Sequence, residues 1–330
     1  MIIMCIIHKN YVELFSLNNI FEAWNRFRRG KSGKAGVMDF ELHLEDNLFS
    51  LYEDLRDSNY KHSAYKHFQI FDNKKRDIYK AEVRDRVVHQ IIYDYLLSLY
   101  NPEFISDSYA SRVGKGQYKA VDTFRYFIKL ANNEHRPCFI LKGDVRKYFD
   151  SVDQSILLDL IKEKIKCEKT LEIIKEIIQS HIFSEPGKGI PLGNITSQIF
   201  ANIYLNILDN YVKNELKCRF YVRYNDDFVI ISESDRELEK IRSKIISFVG
   251  DRLLLQIPLE KTSLRKITWG VDFLGFTILP KAVLLRNKTK NKMYANVSAE
   301  NIHSYFGILN HCHSHNLKKK ILSMDKFMEI

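Results

Sequence analysis

The sequence predicts an α+β fold in which helices pack around antiparallel strands. The stretch RFYVRYNDDFVIIS (219–232) has two runs of apolar, β-branched and aromatic residues separated by Asn-Asp, a pattern typical of a tight hairpin. Elsewhere, segments with helical spacing of apolar residues are interrupted by short strands, without the regular alternation of parallel βαβ units. These two observations favour a mixed fold over a doubly wound sheet.

The individual elements follow from local apolar spacing and capping signals. In VRDRVVHQIIYDYLLSLY the apolar residues recur at helical intervals, whereas CFILKGDV is a short apolar run of strand length that ends at Asp144. Asp150 is predicted to occupy a helix N-cap, and SVDQ at the start of the helix over 151–165 supplies a Ser/Asp cap. We predict helices over 38–60, 84–100, 120–132, 151–165, 196–216 and 234–249, a strand over 138–145, a strand or tight hairpin over 269–279, and a basic helix at the C-terminus.

The composition of the chain restricts the class of protein to which it can belong. The protein has 330 residues, 45% of them hydrophobic, which is enough for a sizeable core. Its net charge of +10 and pI near 9.1 favour a polyanionic partner. The basic residues cluster at 26–34, 73–76, 284–292 and 316–320, although each cluster is also compatible with an ordinary solvated surface.

The cysteines and the N-terminus indicate the compartment. The five cysteines are scattered, with no CxxC pair, so we predict a reduced, cytoplasmic protein without disulfides or a zinc site. The opening MIIMCII is too short to span a bilayer and is predicted to be a strand or a packing segment. No membrane association is expected.

Adjacent carboxylates at the hairpin tip require an explanation. Asp226 and Asp227 could be ordinary turn formers. If the strand over 138–145 lies beside the hairpin, however, Asp144 faces both of them. Carboxylates this close repel one another unless a cation is present, and three of them could hold two metal ions about 3.5–4 Å apart for phosphoryl transfer.

These residues lie within motifs that resemble the reverse transcriptase family. YNDD resembles the family's Tyr-x-Asp-Asp motif, and DVRKYFD (144–150) resembles the motif with the first metal-binding aspartate. The resemblance extends in order from about residue 20 to about residue 325. The other matching segments are 74–88 and 107–120 in the fingers, GIPLGNITSQIFANIYLNILD (189–209), LEKTSL (259–264) and VDFLGF (271–276).

The resemblance implies a right-hand polymerase with fingers, an antiparallel palm and a short helical thumb. The implied domains are an N-terminal segment with fingers (1–130), a palm with interleaved finger elements (131–280) and a thumb (281–330). The implied activity is RNA-directed DNA polymerisation. Its implied partners are a template RNA, an RNA–DNA hybrid and dNTPs, and its implied cofactor is a pair of Mg²⁺ ions.

Residue roles are likewise implied by the resemblance. Asp144, Asp226 and Asp227 would bind the metals, and Lys261 would protonate the leaving pyrophosphate. Phe149 would exclude a ribose 2′-hydroxyl, unless it is a core residue. The implied nucleotide-binding residues are Arg76, Arg112, Phe149, Leu192, Gly193 and Gln198.

One motif narrows the resemblance to a subgroup. Most reverse transcriptases have Gln-Gly and Ser-Pro where this chain has Leu192-Gly193 and Ser197-Gln198, a pattern similar to that of diversity-generating retroelements. That subgroup implies cDNA synthesis with errors at template adenines and a small basic accessory protein. No further domain follows the thumb in this sequence, so dependence on partners is expected.

Three alternatives remain open at this stage. The chain could be a retron-type or phage-defence reverse transcriptase with the same chemistry. It could be a non-catalytic RNA-binding scaffold. The presence of all three aspartates argues against this alternative, because a scaffold would tolerate their loss. It could also be an RNA-dependent RNA polymerase, which an aromatic residue at Phe149 opposes.

Overall fold

The computed structural model describes residues 10–71, 75–132, 137–181 and 183–323. The N-terminal segment MIIMCII, for which a strand or packing segment is predicted, lies outside them. The helices are α1 (Tyr11–Leu14), α2 (Leu17–Arg28), α3 (Ala35–Leu42), α4 (Leu44–Arg56), α5 (Val83–Tyr100), α6 (Gln117–Asn132), α7 (Tyr148–Ser151), α8 (Gln154–Lys164), α9 (Glu168–Gln179), α10 (Ile195–Asn210), α11 (Asp235–Leu253), α12 (Asn287–Asn296), α13 (Ile302–Leu309) and α14 (His315–Leu322). The strands are β1 (Lys66–Phe71), β2 (Lys75–Lys80), β3 (Phe139–Asp144), β4 (Phe220–Tyr224), β5 (Asp227–Ser232), β6 (Ser263–Lys266), β7 (Val271–Phe273), β8 (Phe276–Ile278) and β9 (Val283–Leu285).

The chain forms two compact units, each built from separate segments. The first unit runs to Ile105 and resumes over Arg146–Leu208 and Phe248–Gln256. The second comprises Ser106–Val145, Asp209–Ser247 and the chain from Ile257 onwards. Asp144 therefore belongs to the second unit, whereas Phe149, five residues later, belongs to the first.

The first unit is mainly helical. Helix α2 packs against α4 and α5, and Trp24, Leu51 and Ile92 are fully buried in this unit. The hairpin of β1 and β2 is largely exposed to solvent, so its backbone pairing rather than a core stabilises it. Among the described residues, no helix is both long and apolar enough to cross a membrane.

The second unit contains the sheet on which the aspartates lie. Its strand order is β4-β5-β3-β6, and every pair is antiparallel. Helix α6 covers one face, where Phe124 packs in the same buried cluster as Val222 and Val229. A second sheet, β7-β8-β9, adds Phe273 and Phe276 to this cluster. The predicted α+β class is confirmed.

Several predicted elements are corrected in their boundaries. The helix predicted over 38–60 is two helices, because the chain leaves helical geometry at His43 between α3 and α4. The helix predicted over 196–216 ends as α10 at Asn210 and continues as a π-helical turn. The C-terminal segment consists of α12, α13 and α14 rather than one basic helix.

The Ser/Asp cap predicted for the helix over 151–165 is confirmed at Asp153, whereas the N-cap role predicted for Asp150 is wrong. Asp153 rather than Asp150 caps α8, because its carboxylate accepts hydrogen bonds from the backbone N–H groups of Ser155 and Ile156, each at 3.0 Å. Asp150 lies within the short helix α7, where burial raises its pKa.

Candidate active site

The hairpin of β4 and β5 presents two aspartates at its tip. Tyr224 pairs with Asp227, which leaves Asn225 and Asp226 as a two-residue turn. Asn225 has a φ of +52°, the left-handed conformation that such turns require and that asparagine tolerates. The hairpin predicted from the Asn-Asp pair is confirmed.

The third aspartate reaches the hairpin through strand pairing. Strand β3 runs antiparallel to β5, and Asp144 is the register partner of Asp227. The preceding residue must be small, because a Cβ added at Gly143 would lie 2.3 Å from the ring of Phe228. The sheet thus places the three carboxylates together, as predicted from their positions at the strand ends.

Burial and mutual charge alter the protonation of these carboxylates. Burial, with smaller contributions from a hydrogen bond to Asp144 and from the charges of Asp144 and Asp227, raises the pKa of Asp226 to about 7. Burial likewise raises the pKa of Asp227, against the lowering effect of Lys142. A proton on Asp226 therefore relieves part of the repulsion within this cluster.

Two lysines supply positive charge next to the cluster. The Nζ atom of Lys261 lies 2.8 Å from Oδ2 of Asp144, and that of Lys142 lies 3.4 Å from Oδ1 of Asp227. Lys261 is a predicted site residue. Lys142 was missed, although its position two residues before Asp144 on a strand places it on the same face.

The donor set fits hard divalent cations. Carboxylate oxygens are the ligands that Mg²⁺ prefers, and the mutual repulsion of the three carboxylates would be relieved by a bound cation. Although the three carboxylates are neighbours, no group of three or more His, Cys, Asp or Glu side chains in the described parts of the chain is arranged to hold a metal ion. The carboxylates of Asp144 and Asp227 point instead towards the ammonium groups of the two lysines.

A buried ion pair supports the hairpin from behind. The guanidinium of Arg223 donates from Nη2 to Oδ2 of Asp209 at 2.6 Å and from Nε to Oδ1 at 2.7 Å. The Arg223 and Asp209 side chains are 1% and 0% exposed. Nη1 of Arg223 donates to the carbonyl of Asn225 at 3.0 Å, so the ion pair holds the turn that carries Asp226.

The first unit brings together most of the predicted nucleotide-binding residues. The carbonyl of Phe149 accepts a hydrogen bond from Ile190 N at 2.8 Å, and the carbonyl of Leu192 accepts one from Tyr79 N at 2.9 Å. The loop that precedes α10 is thereby attached to α7 on one side and to β2 on the other. Arg76 and Gln198 are exposed on β2 and on the first turn of α10.

Gly193 is required for a packing reason as well. Its φ is +115°, and a Cβ there would lie 2.7 Å from Cγ2 of Ile78. The predicted role of Gly193 was to let the backbone approach a nucleotide. The structure shows that the absence of a side chain also lets the loop pack on β2.

Arg112 and Arg76, the two predicted triphosphate residues, belong to different units. Arg112 belongs to the second unit, where its Nη1 donates to the carbonyl of Ser108 at 2.9 Å. Burial and the nearby charge of Arg223 lower the pKa of Arg112. Arg76 belongs to the first unit, so Arg112 shares the unit of the aspartates and Arg76 does not.

Comparison with known proteins defines the class to which this site belongs. Residues 60–278 match the model of the reverse transcriptase (RNA-dependent DNA polymerase) family, which is more than half of the chain. The chain belongs to the reverse transcriptase family. This membership confirms the coarser part of the predicted resemblance, and it covers the segments from which the three aspartates come.

Curated relatives are distant and longer than the matched region. The chain is 24% identical over 248 residues to protein YkfC of Escherichia coli (64% of this chain, 65% of that protein). It is 22% identical over 323 residues to the group II intron-encoded protein LtrA of Lactococcus lactis (76% and 53%). It is 24% identical over 246 residues to nuclear intron maturase 3 of Arabidopsis thaliana (64% and 32%). The chain thus spans between about a third and about two thirds of the length of these relatives.

Solved structures show the same fold. The chain resembles apo telomerase from Candida tropicalis with a TM-score of 0.52 at 16% identity, over 74% of this chain and 60% of that one. It resembles telomerase from Candida albicans with a TM-score of 0.52 at 14% identity, over 78% and 55%. At these identities the likeness is one of fold, and it confirms the predicted right-hand polymerase architecture.

Breaking the buried ion pair should destabilise the second unit. Replacement of Arg223 by methionine leaves Asp209 buried without its partner, a change that typically costs about 3–5 kcal/mol. We expect Arg223→Met to lower the free energy of unfolding in urea by an amount in this range. Arg219→Met, at an exposed position one residue before β4, is the matched control and should change stability by less than about 0.5 kcal/mol. Equal effects of the two substitutions would contradict the assigned role.

The raised pKa of Asp226 predicts a pH dependence of stability in EDTA. Because the folded protein holds a proton up to about pH 7 that the unfolded chain releases near the usual value of 3.8, stability should fall as the pH rises through this interval. The side chain in Asp226→Asn cannot titrate. Relative to this variant, the free energy of unfolding of the wild-type protein should fall by about 1–2 kcal/mol between pH 5.5 and pH 8. Thermal unfolding at both pH values measures this difference, and parallel behaviour of the two proteins would refute it.

Proposed function

We propose that this protein is an RNA-directed DNA polymerase that makes cDNA by nucleotidyl transfer. The observation that supports it most directly is the register of β3 on β5, which pairs Asp144 with Asp227 beside Asp226 in a chain of the reverse transcriptase family. Asp144, Asp226 and Asp227 would hold two Mg²⁺ ions. The chemistry that such ions supply is activation of the primer 3′-hydroxyl and neutralisation of charge on the leaving group.

In this proposal Lys261 handles the leaving group. The 3′-oxygen of the primer forms a bond to the α-phosphorus of the dNTP, and the bond between that phosphorus and the bridging oxygen of the pyrophosphate breaks. The ammonium group of Lys261 lies next to Asp144 and would donate a proton to the departing oxygen. The half-buried position of Lys261 supports a role beyond that of a surface lysine.

The residues of the first unit would position the dNTP. Phe149 is half-buried rather than fully enclosed, so part of its ring remains available to a sugar. Arg76 and Gln198 are exposed and could contact phosphate and base. In the second unit, Arg112 would add a further guanidinium for the triphosphate.

The proposed nucleic-acid partners are a template RNA and its RNA–DNA hybrid. An A-form hybrid is bound mainly through its shape and its phosphates. Support comes from the net charge of +10 and from the lysines of α12 and α14, the helices of the implied thumb. We also propose a cytoplasmic location, which the four free cysteines of the described residues support.

We further propose that the enzyme belongs to a diversity-generating retroelement and works with a small basic accessory protein. Support comes from Leu192-Gly193 and Ser197-Gln198, the motif that departs from most of the family. Leu192 is half-buried and offers no hydrogen bond from its side chain, so it cannot penalise a misplaced nucleotide through an unmade hydrogen bond. A retron-type or phage-defence enzyme would have the same chemistry. The matches to a group II intron-encoded protein and to a nuclear intron maturase are compatible with any of these subgroups.

Loss of one metal-binding carboxylate should abolish synthesis. We expect Asp144→Asn and Asp226→Asn each to reduce primer extension in Mg²⁺ by far more than tenfold, because removal of a ligand costs several kcal/mol of transition-state stabilisation. Binding of template–primer, measured by fluorescence anisotropy, should stay close to wild type. Asp122→Asn on α6, where the carboxylate is 60% exposed, is the control for a removed charge. Extension within tenfold of wild type would refute the assignment.

Sugar selection should depend on Phe149. Replacement by alanine or valine removes the ring that would lie under the sugar, so we expect increased incorporation of ribonucleotides relative to deoxynucleotides. Single-nucleotide extension with matched rNTP and dNTP measures this ratio. If the Phe149→Val enzyme is active and discriminates between rNTP and dNTP as the wild type does, Phe149 is a core residue without a role in sugar selection.

Fidelity at adenine should depend on Leu192. We expect Leu192→Gln to lower misincorporation opposite template adenine more than opposite the other bases, because glutamine restores a group that can hydrogen-bond near the incoming sugar. Sequencing of cDNA copied from one defined RNA by both enzymes provides the measurement. Adenine error rates that agree within scatter would leave Leu192 as a packing residue and weaken the retroelement proposal.

A further inference from the structure

Two histidines and a threonine form a hydrogen-bonded chain in the first unit. Nε2 of His62, in the segment that leads into β1, lies 3.1 Å from Nε2 of His89 on α5. Nδ1 of His89 lies 3.1 Å from the hydroxyl oxygen of Thr196 on α10. At the other end, Nδ1 of His62 lies 2.6 Å from the carbonyl oxygen of Ser63. The chain therefore connects the segment before the β1–β2 hairpin with the start of α10.

The Ser63 end fixes the proton positions along this chain. A carbonyl can only accept, so Nδ1 of His62 carries a hydrogen and, in the neutral ring, Nε2 of His62 is an acceptor. His89 must then donate from Nε2, which leaves its Nδ1 to accept the hydrogen of the Thr196 hydroxyl. Each ring nitrogen thus has one defined role while His62 is neutral.

The two rings differ in their access to solvent. His89 and Thr196 are each 1% exposed, whereas His62 is half-buried. Burial, and then the charges of His62 and Arg86, hold the pKa of His89 well below its usual range. Tyr65, whose ring centroid lies 4.6 Å from that of His62, stays neutral because burial raises its pKa. A proton taken up by the chain therefore resides on His62.

Two carboxylates lie next to the backbone of His62. Glu176 on α9 accepts a hydrogen bond from the backbone N–H of His62 at 3.0 Å, and it lies 3.5 Å from Nζ of Lys61. Asp85 on α5 accepts one from the following backbone N–H at 3.2 Å and another from the hydroxyl of Tyr60 at 3.0 Å. A positive charge on His62 therefore has two carboxylates and one ammonium group as its charged neighbours on this side.

Protonation of His62 reverses the direction of the chain. With hydrogens on both of its nitrogens, His62 donates from Nε2, so Nε2 of His89 must accept and the single ring hydrogen of His89 must be on Nδ1. Nδ1 then donates to the Thr196 oxygen, and the hydroxyl hydrogen of Thr196 loses its acceptor on His89. The chain as a whole gains one proton, and His89 stays neutral.

The start of α10 carries residues that we propose to bind the nucleotide. Gln198 follows Thr196 by two residues. The hydroxyl of Ser197 donates to the carbonyl of Pro191 at 2.6 Å, which attaches the helix to the loop that contains Leu192. A changed hydrogen bond at Thr196 therefore acts on the segment that positions these side chains.

We propose that His62, His89 and Thr196 are positioning residues through which pH sets the affinity for the dNTP. The inference rests on the proposed polymerase function. While His62 is neutral, the chain holds the start of α10 in the geometry that binds the nucleotide. Protonation of His62 reverses the chain and weakens dNTP binding. The three residues act through α10 rather than by contact with the substrate.

NMR spectra of isotope-labelled histidine rings test the chain without turnover. As the pH falls from about 8 to about 5.5 in EDTA, one ring of the wild type should change from the Nε2–H to the Nδ1–H tautomer while it stays neutral. Exposed rings become doubly protonated instead, so the buried ring is recognised by this change alone. His62→Gln, which cannot titrate, should abolish the change, and His43→Gln, at an exposed position between α3 and α4, should preserve it. No change of tautomer in the wild type, or its persistence in His62→Gln, would overturn the proposal.

Kinetics measures the consequence for the nucleotide. In single-nucleotide extension, the ratio of the wild-type KM for the dNTP to that of His62→Gln should rise about three- to tenfold between pH 8 and pH 5.5, as expected for one lost hydrogen bond. His43→Gln should follow the wild type. Titration of the aspartates is common to all three proteins and cancels in this ratio, so an unchanged ratio would refute the positioning role. Absence of extension at every pH would instead contradict the polymerase proposal, which the NMR titration does not require.

Discussion

The repulsion among three neighbouring carboxylates is the constraint on which the site depends. Asp144 and Asp227 are register partners, and Asp226 is hydrogen-bonded to Asp144, in surroundings that disfavour charge. The protein balances this charge with the ammonium groups of Lys142 and Lys261 and with a proton on Asp226, whose pKa is about 7. A divalent cation would replace both means of balance, which makes the cluster receptive to metal.

The rest of the sheet keeps these groups from moving apart. Gly143 lets β3 approach the ring of Phe228, and the buried pair of Arg223 and Asp209 holds the Asn225 carbonyl in the hairpin turn. A buried ion pair is a poor source of stability in itself, because desolvation offsets much of its attraction. Its value here is geometric, since it fixes the turn with directional hydrogen bonds.

The predicted metal-binding and nucleotide-binding residues are distributed over the two compact units. The second unit holds the aspartates with Lys142 and Lys261, and the first holds the loop with Leu192 and Gly193 attached to β2 and α7. Family membership follows from the match over residues 60–278, whereas the subgroup depends on a few positions around Leu192.

Local sequence determined the elements and the reacting groups of this protein. The Asn-Asp turn specified the hairpin, and the apolar run before Asp144 specified its strand, because turn chemistry and strand alternation are local properties. The Ser/Asp signal correctly predicted a cap for α8, at Asp153, but Asp150 lies within α7, because a cap needs backbone N–H groups within reach of its side chain. The family resemblance implied a role for Lys261, and strand alternation places Lys142 on the face of Asp144, but only the tertiary structure showed which aspartate each lysine contacts and that Asp209 pairs with Arg223. These pairs join distant segments, and strand pairing and packing, which no local pattern encodes, decide which charges meet.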